Sequence, residues 1–284
     1  MRTFTFKGLL LTAVFMLLGC LSIQAANDDL ITKQITIKLD KAGTLPNKIA
    51  SSEMYKITNL KIIGEINGTD WNMIREMAGR NYQESSTEGN LSVLDLSEAK
   101  IVAGGDYYYY DNLFNNKVYT SNDEIGEYAF AYCSGLTSLT LPVGITSIGE
   151  FAFSGCSGLT SLTLPAGITS IGEFAFSYCS GLTSIYEYAE KVPRIGRYAF
   201  EGCASRKCTL YVPKGTYDDY RLSGFGYFEN IVEFDATGID KTTIATDVEE
   251  VSRYSLNGQR LVGPTKGLNI VKYSDGSVKK VAVE

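Results

Sequence analysis

The feature that most constrains this chain is an internal repeat in its middle. The repeated unit begins at Ile125, returns at Ile148 and Ile171, and returns in degraded form at Ile195, so its period is 23 or 24 residues. A fixed period of this length is typical of a solenoid. One unit is too short to bury its own apolar face, so neighbouring units must stack to share a core.

The apolar positions of each unit follow the pattern Ile-Gly-x-x-Ala-Phe-x-x-Cys-x-x-Leu-x-x-Leu-x-Leu-Pro. Its Leu-x-x-Leu-x-Leu part predicts a short strand, because side chains alternate between the two faces of a strand. In the first unit, Leu139 and Leu141 then face the core, whereas Ser138 and Thr140 face solvent. We therefore expect one strand per coil and a parallel sheet with strands about 4.8 Å apart.

This pattern resembles the 23-residue leucine-rich repeat of BspA-like bacterial surface proteins. The resemblance is detailed over about residues 125–213 and looser back to about Ile57. It implies an α+β solenoid, a right-handed horseshoe-like stack, on an exported protein, and members of the family are linked to adhesion and binding of host matrix. The periodicity by itself predicts the solenoid and says nothing of adhesion.

The chain divides into four predicted segments. They are a signal peptide at 1–26, an N-terminal α/β cap at 27–90, a repeat solenoid at 91–236 with an insertion at 102–124, and a small C-terminal β segment at 237–284. Terminal units of a solenoid are expected to be atypical, because one flank of each faces water.

The N-terminus predicts export. Arg2 and Lys7 precede an apolar run that ends before Ala25, which is the organisation of a secretory signal peptide. Alternatively, Leu17-Leu18-Gly19-Cys20 resembles a lipoprotein box and predicts a lipid anchor at Cys20. No later apolar run approaches the ~20 residues that span a membrane, so we expect a secreted or outer-surface protein without a membrane span.

Three local patterns flank the repeats. In the cap, Asn47 to Met54 predicts a short helix, and Asp70 is expected to cap a second helix that carries Trp71 into the core. In the insertion, the four tyrosines 107–110 cannot all point inward, so they either contact a partner or shield the seam between cap and repeats. After the last repeat, residues 217–231 predict a helix and a strand that close the stack.

The C-terminal segment predicts two β-hairpins. Their turns fall at Asn257-Gly258 and Asp275-Gly276, dipeptides that favour tight hairpin turns. The segment resembles the C-terminal sorting domain of Bacteroidetes secretion systems, although it is short for one. An export address and a purely structural β module both remain open.

The cysteines also follow the repeat. Cys133, Cys156, Cys179 and Cys203 occupy equivalent positions, so they are expected to form a ladder of small buried side chains rather than disulfides. A bond between Cys203 and Cys208 remains an alternative. No cysteine spacing matches a metal site.

Composition narrows the function. The net charge is −6, which argues against a nucleic-acid partner, and the chain has no histidine, which removes the commonest general base and zinc ligand. We predict no enzyme activity, catalytic residue, cofactor or metal.

We expect partners to bind the solvent face of the parallel sheet. The candidate partner-binding residues are Thr140, Thr163, Tyr186, Tyr188 and Tyr211. Tyrosine offers an apolar body with a polar tip, so the expected partner is a host or matrix protein, or alternatively a glycan. A secreted glycan-processing accessory protein and a purely structural surface component are the other readings.

Overall fold

The structure, a computed structural model, describes residues 29–235, 250–255, 259–261, 263, 266–273 and 278–283. The predicted signal peptide, Cys20 and the two predicted C-terminal turns lie outside these residues. The described strands, numbered in chain order, are β1 Ile35–Lys38, β2 Asn59–Ile66, β3 Val93–Ile101, β4 Gly104–Asp111, β5 Asn116–Thr120, β6 Glu124–Ile125, β7 Ser138–Thr140, β8 Ser147–Ile148, β9 Ser161–Leu164, β10 Ser170–Ile171, β11 Ser184–Glu187, β12 Arg194–Ile195, β13 Thr209–Pro213, β14 Asn230–Phe234, β15 Glu250–Ser255, β16 Arg260–Leu261, β17 Gly267–Tyr273 and β18 Val278–Val283.

Eight parallel strands form the main sheet, in the order β1-β2-β3-β7-β9-β11-β13-β14. The order follows the chain, with one strand from each coil. The α+β repeat solenoid expected from the sequence is therefore confirmed. The strands of the predicted N-terminal cap, β1 and β2, extend the same sheet rather than forming a separate one.

A second ladder runs along the coils where the repeat unit begins. It consists of the two-residue parallel strands β6, β8, β10 and β12, with Ile125, Ile148, Ile171 and Ile195 in register. The glycine that follows each isoleucine is required here. A Cβ on Gly149 would lie 2.6 Å from the backbone nitrogen of Glu127 in the preceding coil.

The core between the two ladders repeats with the unit. Phe130, Phe153, Phe176 and Phe200 stack face to face at centroid distances of 5.4, 5.0 and 5.6 Å, and all four are buried. The leucines of the main sheet lie beside them. Burying a side chain of this size contributes roughly 1.5–3 kcal/mol, so this shared column holds the coils together.

The cysteine ladder is confirmed. Within the described residues, Cys133, Cys156, Cys179, Cys203 and Cys208 are all buried and free, so Cys203 and Cys208 are not bonded. The thiols of Cys156, Cys179 and Cys203 each donate to a phenylalanine carbonyl of the preceding coil at 3.1 Å. Burial raises the pKa of the Cys133 thiol to about 11, so this thiol stays protonated and unreactive.

The helices of the cap differ from two expectations. Helix α1, Gly68–Met77, is capped by Asn67, and Asp70 sits three residues into it as the second member of a capping box. Asp70 also accepts hydrogen bonds from the backbone nitrogens of Gly43 and Leu45, so it ties the preceding loop to the helix. The short helix expected at 47–54 is wrong: a 3-10 turn at Leu45–Asn47 and irregular turns replace it.

Trp71 lies in the core of the cap, as predicted. Its ring packs 5.2 Å from Phe130, and its indole nitrogen donates to the carbonyl of Ala129 at 3.0 Å. Arg75, fully buried on the same helix, donates to the carbonyls of Tyr128 and Ala129. These contacts join the cap to the first regular coil.

The insertion is the antiparallel hairpin β4–β5. Of its four tyrosines, Tyr108 and Tyr109 are buried, whereas Tyr107 and Tyr110 are half-buried. Tyr109 stacks on Tyr128 at 4.1 Å and Tyr108 packs against Trp71, so this pair covers the seam between cap and repeats.

The end of the stack is closed as predicted by a short helix, α2 Tyr217–Arg221, and by β14. Beyond it, β15 to β18 form a four-stranded antiparallel sheet in the order β16-β15-β17-β18, which we call the C-terminal module. The two predicted hairpins pair as expected.

Candidate binding surface

The candidate surface is the face of the main sheet that points away from the core. Strand pairing aligns one residue from each rung along it, and we call this set the outer row: Thr36, Lys61, Asp95, Thr140, Thr163, Tyr186, Tyr211 and Val232. The row divides into three stretches with different chemistry.

The N-terminal stretch is an ion cluster. The Lys61 ammonium lies 3.0 Å from the Asp95 carboxylate and 2.7 Å from that of Glu98. Burial opposes the charge of Lys61, but its hydrogen bonds to Glu98 and Asp95 outweigh burial and raise its pKa. Lys61 and Asp95 are buried, which corrects the expectation that the whole row is solvent-facing.

The central stretch is open and carries hydroxyls. Thr163 is exposed and Thr140 is half-buried, and Ser138 and Ser161 beside them are exposed. This stretch matches the expected hydroxyl strip. It presents short hydroxyl side chains on consecutive rungs, which suits contact with another macromolecule.

The C-terminal stretch is aromatic and covered. Tyr186 stacks on Tyr211 at a centroid distance of 4.6 Å with the rings nearly parallel. Tyr186 is only 9% exposed, and burial raises its pKa to about 12. Tyr186 does face away from the core, but its predicted exposure is wrong.

The cover comes from the C-terminal module and from the end of β14. The Lys280 ammonium of the module lies 5.5 Å from the centre of the Tyr188 ring, and Phe234 of β14 meets that ring edge-on at a centroid distance of 5.1 Å. Burial raises the pKa of Tyr188 to about 12. Sequence reasoning missed this packing because no local pattern in 250–283 indicates which surface the module meets.

A groove of about 480 Å³ remains between the outer row and the C-terminal module. The sheet supplies one wall, which includes Thr140, Thr163, Tyr186 and Tyr188 among the five candidate residues. The module supplies the other, through Tyr254, Ile270, Lys272, Val278 and Lys280. Tyr211, the fifth candidate, does not line the groove but stacks behind Tyr186.

A second groove, of about 660 Å³, lies beside the two-residue strands of the second ladder. Glutamates of successive coils line it, among them Glu127, Glu150 and Glu173. Burial and the neighbouring Glu150 raise the pKa of Glu127. In the part of the chain that the structure describes, no three carboxylates or thiols converge as metal ligands would.

The fold and this surface define a leucine-rich-repeat solenoid whose face can serve as a binding scaffold. Residues 103–219, less than half of the chain, match the family described as BspA type Leucine rich repeat region, in six copies. Proteins with repeats of this type are usually secreted or located at the cell surface. The match begins just before the insertion hairpin, although the main sheet begins earlier, at β1.

A crystal structure of a leucine-rich repeat protein from Bacteroides ovatus ATCC 8483 is similar at 23% identity with a TM-score of 0.38. The similarity covers 64% of this chain and 44% of that protein, so the chain spans less than half of its length. No curated protein matches the sequence. Among the described residues, no helix combines the length and apolar character needed to cross a bilayer.

Proposed function

We propose that this protein is an exported, non-enzymatic binding protein that engages a host or matrix protein through the outer row. The observation that supports the proposal most directly is the uninterrupted main sheet, whose central rungs leave Thr140 and Thr163 accessible on a repeat scaffold. Solenoids typically use such an extended sheet face for protein partners.

The chemistry of the row favours binding over catalysis. The chain has no histidine, and Asp95, the acidic residue of the outer row, is engaged in an ion cluster with Lys61 and Glu98. The outer row therefore offers no general acid–base pair over an open cleft. A hydrolase screen on the purified protein tests this part of the proposal, and turnover of any substrate would contradict it.

The stacking of Tyr186 on Tyr211 favours a protein over a glycan. Sugars pack on open ring faces, and here each tyrosine already covers a face of the other. The glycan-binding reading therefore becomes an outcome of the same experiment, as does the reading of a purely structural component.

The test compares two charge-matched double variants. Thr140→Glu with Thr163→Glu alters the outer row, whereas Thr146→Glu with Thr169→Glu alters exposed threonines of neighbouring coils at the same 23-residue spacing. Binding is measured by surface plasmon resonance against immobilised extracellular-matrix proteins and, separately, mucin glycans. We expect the first pair to weaken binding to a matrix protein at least about tenfold and the second pair to leave it unchanged.

Three results would contradict the proposal. They are equal losses in both pairs, binding to glycans alone, and no binding to any extracellular component.

We further propose that the C-terminal module serves in export or anchoring, on its resemblance to a sorting domain. Secretion of the chain with and without residues 250–283, in a host with that secretion system, tests this.

A further inference from the structure

The C-terminal module and the main sheet together form a site that neither would form alone. Two module residues approach the aromatic end of the outer row: Lys280 lies over the Tyr188 ring, and Tyr254 is close enough to Tyr186 to influence the pKa of its hydroxyl. Between these contacts and the open central rungs, the groove stays unfilled over about 480 Å³. A volume of this size is typical of ligand sites.

The charge of this groove is opposite to that of the protein. Its lining contains Lys272 and Lys280 and no acidic residue, whereas the chain as a whole carries a net charge of −6. Glu187 lies on β11, the same strand as Tyr186, but its side chain is buried in the core and does not line the groove. Asp235 is near Lys280 and favours its charged form, while partial burial of Lys280 lowers its pKa. Lys280 therefore already has an acidic neighbour, and Lys272, which is exposed, is the more accessible cation for an anionic ligand.

The rest of the lining is largely apolar. Ile270 and Val278 of the module and Val143 and Pro165 of the repeats line the groove, together with three tyrosines. The sheet wall also carries the hydroxyls of Ser138, Thr140, Ser161 and Thr163, so a glycan is tested as a competitor below. A peptide that alternates carboxylate and apolar side chains satisfies both features, because its acidic groups reach the lysines and its apolar groups pack against the walls.

We propose that this groove binds a carboxylate-rich, partly apolar segment of a protein partner. The inference rests on the proposed function, since it assigns the chemistry of the partner at the same face. The C-terminal module is then part of the binding surface as well as a C-terminal appendage.

The experiment uses a fluorescein-labelled octapeptide of alternating glutamate and valine, and the same peptide with glutamine in place of glutamate. Affinity is measured by fluorescence anisotropy on the full protein. The variant Lys272→Glu with Lys280→Glu is expected to weaken binding of the glutamate peptide at least about tenfold. The matched control, Lys33→Glu with Lys41→Glu, changes two exposed lysines near the N-terminus and should bind as the wild type does.

Because Lys280 packs on Tyr188, the double variant could displace the module. The single variant Lys272→Glu avoids this contact and should weaken binding about three- to fivefold, with unchanged near-ultraviolet circular dichroism of the tyrosines. Binding of the wild type should also fall as salt rises, since the contact is between opposite charges.

Four results would overturn the inference. The glutamine peptide would bind as tightly as the glutamate peptide, the two lysine pairs would have equal effects, Lys272→Glu would bind the glutamate peptide as the wild type does, or a sulfated oligosaccharide would compete for the groove more strongly than the peptide. If the lysine variants bind normally while Thr140→Glu with Thr163→Glu abolishes binding of a matrix protein, the groove inference fails and the proposed function stands. If no matrix protein binds at all, both fail.

Discussion

Two neighbouring rungs of the main sheet, β9 and β11, show how a repeat becomes specialised. They pair residue by residue: Ser161 with Ser184, Leu162 with Ile185, Thr163 with Tyr186, and Leu164 with Glu187. The first two positions keep their character, and the last two do not. The regular rung is open outside and apolar inside, whereas the specialised rung is covered outside by the C-terminal module and carries a buried carboxyl inside.

The buried carboxyl is the more costly of the two changes. Glu187 is fully buried, and burial raises its pKa to about 8, although hydrogen bonds to its carboxylate from the backbone of Ala189 and Tyr188 oppose the shift. One of its oxygens accepts from the Ala189 nitrogen at 2.9 Å, and the other has no hydrogen-bond partner. At neutral pH this side chain is therefore mostly protonated in the folded protein.

The largest effect on stability is expected when the glutamate of the specialised rung is introduced at the equivalent position of the regular rung. Leu164→Glu should lower the free energy of unfolding at pH 7 by about 4 to 6 kcal/mol, because it buries a carboxyl and removes leucine packing. Urea denaturation measures the loss.

The control for that variant is Thr163→Glu, one residue away on the exposed face. It should change the free energy of unfolding by no more than about 0.5 kcal/mol. Equal losses in the two variants would contradict the distinction between the faces.

Removing the carboxyl of the specialised rung should change how the stability of the protein depends on pH. The pKa of Glu187 is raised on folding, so between about pH 4.5 and pH 8 the unfolded chain binds fewer protons than the folded one. This group therefore makes the protein less stable as pH rises through that window. Glu187→Gln should flatten this dependence and raise the free energy of unfolding at pH 8.5 by about 4 kcal/mol.

Urea denaturation at pH 5, 7 and 8.5 measures this, with Glu173→Gln as the control at an exposed site. The difference between the wild type and Glu187→Gln should grow with pH, whereas Glu173→Gln should follow the wild type. A constant difference would mean that Glu187 does not titrate in this range.

A smaller loss of stability is expected at a glycine that the regular and the degraded repeat units both keep. The glycine of the second ladder is kept in the degraded unit as Gly196, where a Cβ would lie 2.3 Å from the Glu173 nitrogen. Gly196→Ala should destabilise the protein by roughly 2 kcal/mol, because adjacent coils must separate. Gly135→Ala, where nothing lies within 4 Å, should be nearly neutral in thermal denaturation, and equal shifts in melting temperature would refute the requirement.

The smallest effect concerns the support beneath the specialised rung. Tyr220 is buried and donates from its hydroxyl to the Ala189 carbonyl at 2.7 Å, beside Glu187. Tyr220→Phe should cost about 1 kcal/mol, since one buried hydrogen bond is lost. Tyr217→Phe, a partly exposed neighbour on the same helix, should be neutral in the same urea titration.

The parts of the fold that the repeat dictates could be predicted from sequence. The leucines of the strands, the cysteine ladder and the phenylalanine column recur at a fixed period, and periodicity identifies their shared face. The N-cap at Asn67 was missed because Asn67 and Asp70 both have side chains that cap helices, and only the geometry decides between them.

Other features left no usable signal. Tyr128, Phe151, Phe174 and Tyr198 adopt φ between 53 and 57°, a conformation that bulky residues rarely take. They stack on one another from coil to coil, and no propensity rule indicates this. The site was predicted in part: the hydroxyl rungs follow from alternation, but the cover over Tyr186 depends on how a distant module packs.

The column of glycines in the second ladder also bears on how such a chain can change in length. Each coil meets the next through the same close backbone approach at Gly149, Gly172 and Gly196. A coil bounded by this contact can be duplicated or deleted as a whole without altering the junctions that remain. Gene-level gain or loss of one unit would therefore lengthen or shorten the scaffold while leaving both of its ends, and the specialised rung near one of them, intact.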